Sequence, residues 1–214
     1  MGRVGSVAAL ALLVWACAPA MEERVHDLND AGRERFQKGQ YDRARLDFQA
    51  ALKYRPNDAE LLYNIGQCYQ QLGQSQCAEQ TYRLCLQQDA NSAKVRHALT
   101  VLLVQHGRAA EAQEMVRDWL NRQPKLSAAY AEDGWLYEQE GHFFNALKRY
   151  EQAIFFDPGN TFALVSLGQI YEDNLKQPER ALKLYQIALD YDPHQPEVVR
   201  QVNRLLAQNV GPPR

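Results

Sequence analysis

The sequence is poor in the residue patterns that support catalysis, metal binding and nucleic-acid binding. Its five histidines lie far apart, with no pair at the helical spacing of a metal site. Its 24 basic and 26 acidic residues are mixed along the chain, so no basic block predicts a phosphate-binding surface. Its four cysteines show neither zinc nor thioredoxin spacing. We therefore expect a protein that is not an enzyme and has no cofactor, metal, small-molecule substrate or nucleic-acid partner.

Long apolar runs are scarce as well. The most apolar segment lies near the N-terminus, from Val7 to Ala16, and is shorter than the roughly 20 residues that span a bilayer. It follows a single basic residue, Arg3, and this arrangement is typical of a secretory signal peptide. We therefore assign residues 1–16 to a signal peptide rather than to a membrane anchor.

The apolar segment runs into the residues Val14, Trp15, Ala16 and Cys17. They resemble the lipobox of bacterial lipoproteins, an aliphatic residue and two small residues before a cysteine, except that Trp15 replaces a small residue. The resemblance implies cleavage before Cys17 and a lipid on that cysteine, with 17–24 as a short tether. It also implies a protein anchored in the cell envelope and facing the periplasm. Ala18 after the cysteine implies the outer membrane.

Three other interpretations of the N-terminus remain open. The segment Ala18–Ala20 fits an ordinary signal-peptidase site, which would release a soluble exported protein. Translation from Met21 would instead give a cytoplasmic protein. Gly2 followed by Ser6 fits the myristoylation pattern, although the apolar run behind it is more typical of a signal peptide.

A period of 34 residues governs the rest of the chain. Two sets of residues repeat at this spacing, namely Gly39, Gly73, Gly107 and Gly141, and Ala44, Ala78, Ala112 and Ala146. Such a period is typical of a helical solenoid. Within each unit, apolar residues recur three and four positions apart, which predicts two helices joined by a glycine turn.

A second set of glycines falls inside the first predicted helix of four units: Gly32, Gly66, Gly134 and Gly168. Glycine in a helix interior costs about 1 kcal/mol relative to alanine. We therefore expect a packing reason at these positions, since a side chain there would hold the second helix away.

These units resemble the tetratricopeptide repeat (TPR), whose signature is an aromatic or apolar residue, Leu-Gly, Tyr, Ala, an aromatic and a closing Pro. In the second unit, Leu62, Gly66, Tyr69 and Tyr82 carry it. The resemblance implies an all-α, right-handed solenoid of five helix pairs. The repeats are 25–58, 59–92, 93–126, 127–160 and 161–194. An amphipathic helix at 195–210 would cap the array, followed by a tail at 211–214.

Three repeats depart from the signature. The third places Thr100 at the glycine position, Val116 at the aromatic position and bulky Trp119 at a small-residue position, so we expect it to pack less typically. The fourth places Asp133 where a large apolar residue belongs, and a carboxylate there should be hydrogen-bonded. The fifth has an enlarged turn, "NLKQPE", which shifts its second helix by one residue.

Tetratricopeptide arrays resemble one another in binding a peptide or helix along their first helices, which line a concave groove. The resemblance implies a protein partner and places these residues in the groove: Asn29, Arg33, Phe36, Tyr63, Gln67, Gln70, Lys94, His97, Trp135, Glu138, Phe162 and Gln169. Aromatic side chains offer contact area and amides pair with backbone groups, so such a groove suits an extended or helical segment.

One specialised groove of this family, the co-chaperone clamp for a C-terminal carboxylate, is not expected. Asn64 and Lys94 match it, but Asn29, Arg33 and Ala98 replace its other lysine, asparagine and arginine. The ring of positive charge is therefore incomplete.

Of the cysteines in the repeats, Cys85 falls at a small-residue packing position, and only Cys68 and Cys77 could pair across a turn.

Together the repeats and their groove residues predict a protein-interaction scaffold or adaptor that aids complex assembly. We expect it to be lipid-anchored in the cell envelope, with a cytoplasmic adaptor beginning at Met21 as the alternative.

Overall fold

A computed structural model describes the backbone of residues 5–209 and the side chains of residues 21–208. Within these residues every regular element is a helix, which confirms the all-α prediction. The α-helices are α1 (Gly5–Gln37), α2 (Tyr41–Leu52), α3 (Ala59–Gln71), α4 (Ser75–Gln88), α5 (Ala93–Gln105), α6 (Ala109–Arg122), α7 (Ser127–Gln139), α8 (Phe143–Phe156), α9 (Thr161–Gln169), α10 (Pro178–Tyr191) and α11 (Pro196–Asn209). A π-helical turn, Ile170–Asn174, follows α9.

The first helix includes more of the chain than the first repeat. Residues 17–24, which the sequence analysis assigns to a tether, continue α1 without a break. The side chain of Cys17 and the tail at 211–214 lie outside the described residues. Among the residues that are described, no helix is both long and apolar enough to cross a membrane.

The chain divides into two compact units, residues 1–102 and 103–214. The division falls inside α5, in the third repeat, which departs most from the repeat signature. In the first unit α1 packs on α2, α2 on α3 and α3 on α4. In the second unit each helix from α6 to α11 likewise packs on the next. Each unit is thus built from consecutive helix pairs.

The glycines inside the first helices lie against the aromatic ring of the second helix of the same repeat. A Cβ atom at Gly134 would lie 2.8 Å from Cε1 of Tyr150, and one at Gly32 would lie 2.6 Å from Cε1 of Phe48. Both distances are too short for two carbon atoms that are not bonded to each other. Gly66 with Tyr82 and Gly168 with Tyr185 repeat this arrangement. The glycines are therefore required by the close approach of the two helices, as the sequence predicts.

The turn between the two helices of a repeat uses a left-handed backbone conformation. Glycine adopts it in the first four repeats, with φ between +71° and +76°. In the fifth repeat Lys176 takes the equivalent place, with φ of 53°. The extra residue of this repeat is absorbed by the π-helical turn, where the backbone N–H of Leu175 donates to the carbonyl oxygen of Ile170 at 3.0 Å. The predicted enlarged turn thus begins inside the preceding helix.

Side chains cap the starts of two first helices. The carboxylate of Asp58 accepts hydrogen bonds from the backbone N–H groups of Glu60 and Leu61 at the start of α3. The side chain of Asn160 accepts from the N–H of Ala163 at the start of α9. These bonds satisfy N–H groups that have no partner within the helix.

The polar and bulky departures in the third and fourth repeats are accommodated in the interior. Thr100 is fully buried and its hydroxyl donates to the carbonyl oxygen of Arg96 at 2.8 Å. Trp119 is 2% exposed. Asp133 forms an ion pair with Arg149 at 2.6 Å, which confirms that this carboxylate is hydrogen-bonded. Burial raises the pKa of Asp133, and the positive charge of Arg149 opposes that rise.

The three cysteines with described side chains are free thiols. Cys68 and Cys85 are buried, whereas Cys77 is exposed. Burial raises the pKa of Cys68 to about 12. Cys85 packs in the core, as expected from the repeat pattern, and its thiol donates to the carbonyl oxygen of Ala59 at 3.0 Å.

Candidate functional site

The residues predicted to line a groove lie on the first helices of the repeats, and each compact unit holds its own set. In the first unit they are Asn29, Arg33, Phe36, Tyr63, Gln67, Gln70, Lys94 and His97, on α1, α3 and α5. In the second unit they are Trp135, Glu138, Phe162 and Gln169, on α7 and α9.

A cavity of about 150 Å³ opens on the first-helix face of the first unit. We call it the α1–α3 cavity, and its lining residues are Arg33, Phe36, Gln37, Phe48, Asn64 and Gln67. It brings together three of the predicted groove residues, Arg33, Phe36 and Gln67. The sequence analysis did not assign Gln37 to the groove, although it lies one helical turn after Arg33 and therefore on the same face.

Hydrogen bonds and a ring contact hold the side chains beside this cavity in place. The amide of Gln67 donates to the hydroxyl of Tyr63 at 2.7 Å, and the amide of Asn64 donates to the side-chain oxygen of Asn29 at 3.4 Å. The ammonium nitrogen of Lys94 lies 4.9 Å from the centre of the Tyr63 ring, a cation–π contact. The face is therefore pre-organised by contacts within the unit.

The α1–α3 cavity is positively charged. Arg33 is exposed, forms no ion pair within the described part of the chain, and no carboxylate lines the cavity beside it. Partly buried Phe36 supplies apolar surface beside the buried ring of Phe48, and the side-chain amides of Gln37, Asn64 and Gln67 supply both donors and acceptors. Such a surface can hold an apolar side chain and an acidic side chain of one bound segment.

In the second unit the predicted residues are more aromatic. Phe162 is 39% exposed, and its ring lies edge-on to Tyr150 with the ring centres 6.3 Å apart. Trp135 is half-buried on α7, while Gln169 is exposed on α9. This face therefore presents rings rather than cationic groups.

Two of the predicted residues also hold helix pairs together. The hydroxyl of Tyr82 donates to Gln70 at 2.9 Å, and the hydroxyl of Tyr150 donates to Glu138 at 2.7 Å. Burial and the neighbouring Glu138 carboxylate both raise the pKa of Tyr150. Gln70 and Glu138 thus have a packing role besides any contact with a partner.

Sequence reasoning missed this role, although the pattern carries a signal for it. In the first repeat the packing ring is Phe48, and the position equivalent to Gln70 holds apolar Phe36. In the fifth repeat the ring is Tyr185, and that position holds Glu172, which accepts a hydrogen bond from the Tyr185 hydroxyl at 3.1 Å. A polar side chain stands at this position in each repeat whose packing aromatic carries a hydroxyl group.

Two larger cavities have a different chemistry. One of about 480 Å³ lies at the start of the first unit and is lined by Glu22, Glu23, Val25, His26, Asp27, Asn29, Arg55, Asp58, Glu60 and Leu61. Another of about 250 Å³ surrounds the Asp133–Arg149 ion pair in the second unit. Within the residues that the structure describes, no group of three or more histidine, cysteine and acidic side chains could hold a metal ion.

Helix pairs of 34 residues with a first-helix face of rings, amides and a cation define a repeat scaffold for protein interaction. Models described as "TPR repeat" or "Tetratricopeptide repeat" match residues 32–73, 61–137 and 163–197. The chain is therefore a tetratricopeptide-repeat protein.

One relative with a described role is the Photosystem I assembly protein Ycf3 of Synechococcus sp. (strain CC9311). It is 32% identical over 88 residues, which make up 39% of this chain and 49% of that protein. The chain therefore matches about half the length of this relative.

Solved structures show the same fold. A thermophilic TPR protein of Thermus thermophilus, TTC0263, superposes with a TM-score of 0.64 over 86% of this chain and 99% of its own, at 20% identity. Yeast Tom70 superposes with a TM-score of 0.64 over 78% of this chain and 36% of its own, at 17% identity. These similarities confirm an all-α solenoid fold.

Proposed function

We propose that the protein is a non-catalytic adaptor that holds a segment of a partner protein on the first-helix face of its repeats and so aids assembly of a complex. The observation that supports this most strongly is the α1–α3 cavity. Its rings, amides and unpaired Arg33 lie together on the face that the repeat family uses for peptides. A surface with these properties suits a peptide backbone better than a small substrate.

The charge of the cavity indicates what kind of segment it holds. Arg33 has no acidic neighbour in the cavity lining, and Lys94 lies beside Tyr63 on the same unit. An acidic side chain next to an apolar one would pair with Arg33 and place the apolar group against Phe36. Complementary charge would also speed association and make it sensitive to salt.

The assembly role draws support from the relative that is a Photosystem I assembly protein. The similarity covers 88 residues at 32% identity, about half the length of the relative. We therefore propose for this chain only the general role of bringing proteins together, and not the photosystem as its target.

We further propose that the protein is anchored in the cell envelope by a lipid on Cys17, facing the periplasm and held at the outer membrane. The support is the lipobox-like segment ending at Cys17 behind an apolar run and Arg3. A start at Met21 remains the alternative and would place the same adaptor in the cytoplasm.

Binding can be tested with charge reversal in the cavity and at a matched control position. Arg33→Glu, alone or with Gln67→Ala, is compared with Arg43→Glu, which makes the same charge change at an exposed site on α2. Proteins captured from a cell extract by the wild-type chain are identified by mass spectrometry and then titrated. We expect the cavity variants to bind the captured partner at least about tenfold more weakly, because each lost charge contact costs that much or more. Unchanged binding by the cavity variants would contradict the proposal.

The anchor can be tested by the intact mass of the protein from native membranes and from cytosol. We expect a chain that begins at Cys17 and carries acyl groups, absent from a Cys17→Ser variant. An unmodified chain beginning near Met21 in the cytosol would contradict the lipid anchor and leave the adaptor role standing.

A further inference from the structure

The outer surface of α8 carries two phenylalanines that the repeat fold does not use. Phe144 is 75% exposed and Phe155 is 80% exposed, the largest exposures among the big apolar side chains described. Single exposed apolar residues are common on protein surfaces, but two large rings on one helix face point to an interaction.

The other repeats show that these rings are not required for packing. At the two equivalent positions they have Asp42 and Lys53, Gln76 and Gln87, Ala110 and Asn121, and Glu179 and Asp190. All of these side chains are at least partly exposed, and none is a large apolar residue. The phenylalanines are therefore specific to the fourth repeat.

Two charged residues lie between the phenylalanines on the same helix face. At 100° per residue, Phe144, Lys148, Glu151 and Phe155 fall within a sector of about 60° on α8. We call these four residues the α8 stripe. Lys148 and Glu151 form no ion pair within the described residues. The stripe thus ends in a ring on each side and has one charge of each sign between them.

The stripe is symmetric along the helix. The midpoint between Phe144 and Phe155 coincides with the midpoint between Lys148 and Glu151. When a second stripe lies antiparallel on the first, each Phe144 therefore faces Phe155 of the second copy and each Lys148 faces Glu151 of the second copy. We infer that α8 pairs antiparallel with α8 of a second copy of this chain, about a two-fold axis between residues 149 and 150.

This self-complementarity identifies the occupant as a second copy rather than an unrelated protein. A two-fold interface brings the same surface patch together from both subunits, which requires this kind of internal symmetry. Within the single chain the ring centre of Phe155 lies 5.3 Å from that of Phe156, whose ring stacks on Tyr130 with the centres 5.2 Å apart.

The expected dimer is weak. One pair of crossing helices buries less than the roughly 1,200 Å² typical of stable interfaces. We expect the rings to supply most of the affinity and the charge pairs to set the antiparallel register. The groove residues are not part of the stripe, so the dimer and the adaptor role can be tested separately.

The first experiment is sedimentation velocity of the purified full-length chain over a range of micromolar concentrations. We expect a reversible monomer–dimer equilibrium in the wild type and a dissociation constant at least about tenfold higher in Phe144→Ser/Phe155→Ser. Leu46→Ser, which removes an exposed leucine on α2, is the matched control and should leave the dissociation constant unchanged. A wild-type chain that stays monomeric, or a dimer that persists unchanged in the double variant, would overturn the inference.

The second experiment uses the charges to test the register. Lys148→Glu and Glu151→Lys each place like charges opposite one another in the homodimer, so each variant alone should dimerise more weakly. Mixing the two variants restores both pairs of opposite charge and should give a heterodimer as tight as the wild type. The double exchange Lys148→Glu/Glu151→Lys should also restore dimerisation. Equal dimerisation by all variants, or no heterodimer on mixing, would contradict the antiparallel pairing.

Discussion

At the scale of single residues, four of the five helix pairs are held at their distance by a glycine that lies against an aromatic ring. The space that a side chain at Gly134 would need is already filled by the ring of Tyr150. In the third repeat the two equivalent positions hold Thr100 and Val116, a larger residue where glycine stands elsewhere and a smaller one in place of the ring. The two positions are therefore expected to change together.

A double-mutant cycle tests this coupling in the fourth repeat. Gly134→Thr should lower the free energy of unfolding by about 1–3 kcal/mol through overpacking, and Tyr150→Val by about 2–4 kcal/mol through a cavity. The double variant should lose less than the sum by about 1 kcal/mol or more, because the smaller side chain makes room for threonine. Denaturant unfolding measures all three values. As a control, Gly141→Ala at an open turn position and Tyr150→Val should change the free energy of unfolding by amounts that simply add in the double variant. Additive changes for Gly134→Thr and Tyr150→Val would refute the coupling.

Cysteine reactivity provides a second test at this scale. A raised pKa keeps the Cys68 thiol protonated at neutral pH, since its thiolate forms only as the pH approaches about 12. Cys77 is exposed. In a Cys17→Ser background, a thiol reagent at pH 8 should therefore modify one cysteine rapidly, and Cys77→Ser should abolish this fast phase. The absence of a fast thiol in the non-reduced protein, with recovery after reduction, would instead indicate the Cys68–Cys77 disulfide.

At the scale of the elements, the turns between paired helices are set by backbone conformation. Glycine occupies the left-handed position in four repeats, and Lys176 occupies it in the fifth, where a side chain is strained. The π-helical turn just before it realigns α10, so that Tyr185 still reaches both Gly168 and Glu172.

Exchanging the two residue types at this turn position should change stability in opposite directions. Lys176→Gly should raise the free energy of unfolding by about 0.5–1 kcal/mol, because it removes the strain of a left-handed lysine. Gly141→Lys should lower it by about 1 kcal/mol for the same reason, since no atom crowds Gly141. Urea unfolding of both variants checks the signs, and a stabilising Gly141→Lys would contradict this account of the turn.

Most of these elements can be predicted from the sequence because the glycine and alanine positions repeat every 34 residues. The location of the π-helical turn could not be predicted from the sequence, because the change in backbone hydrogen bonding that begins at Ile170 needs no particular side chain. The hydrogen bonds of Gln70 and Glu138 to packing tyrosines depend on how closely two helices approach. The symmetry of the α8 stripe becomes meaningful once the structure shows that Phe144 and Phe155 are both exposed.

At the scale of the whole molecule, we propose one surface for a segment of another protein and a second surface for a second copy of this chain. The α1–α3 cavity carries Arg33 on the first unit, and the α8 stripe lies on the second. Loss of Arg33 should therefore weaken partner binding without affecting dimerisation. Loss of Phe144 and Phe155 should weaken dimerisation without affecting the binding of a partner segment to the cavity. An adaptor that dimerises would present two partner sites and gain avidity for a repeated target.

Site-specific photo-crosslinking in the living cell can show whether a partner binds on the first-helix face. A photoreactive residue is placed at Gln67 beside the cavity or, as a control, at Arg43 on α2. We expect a protein adduct at position 67 that is lost with Arg33→Glu, and no such adduct at position 43. An adduct at position 43 alone, or one at position 67 that is insensitive to Arg33→Glu, would contradict it.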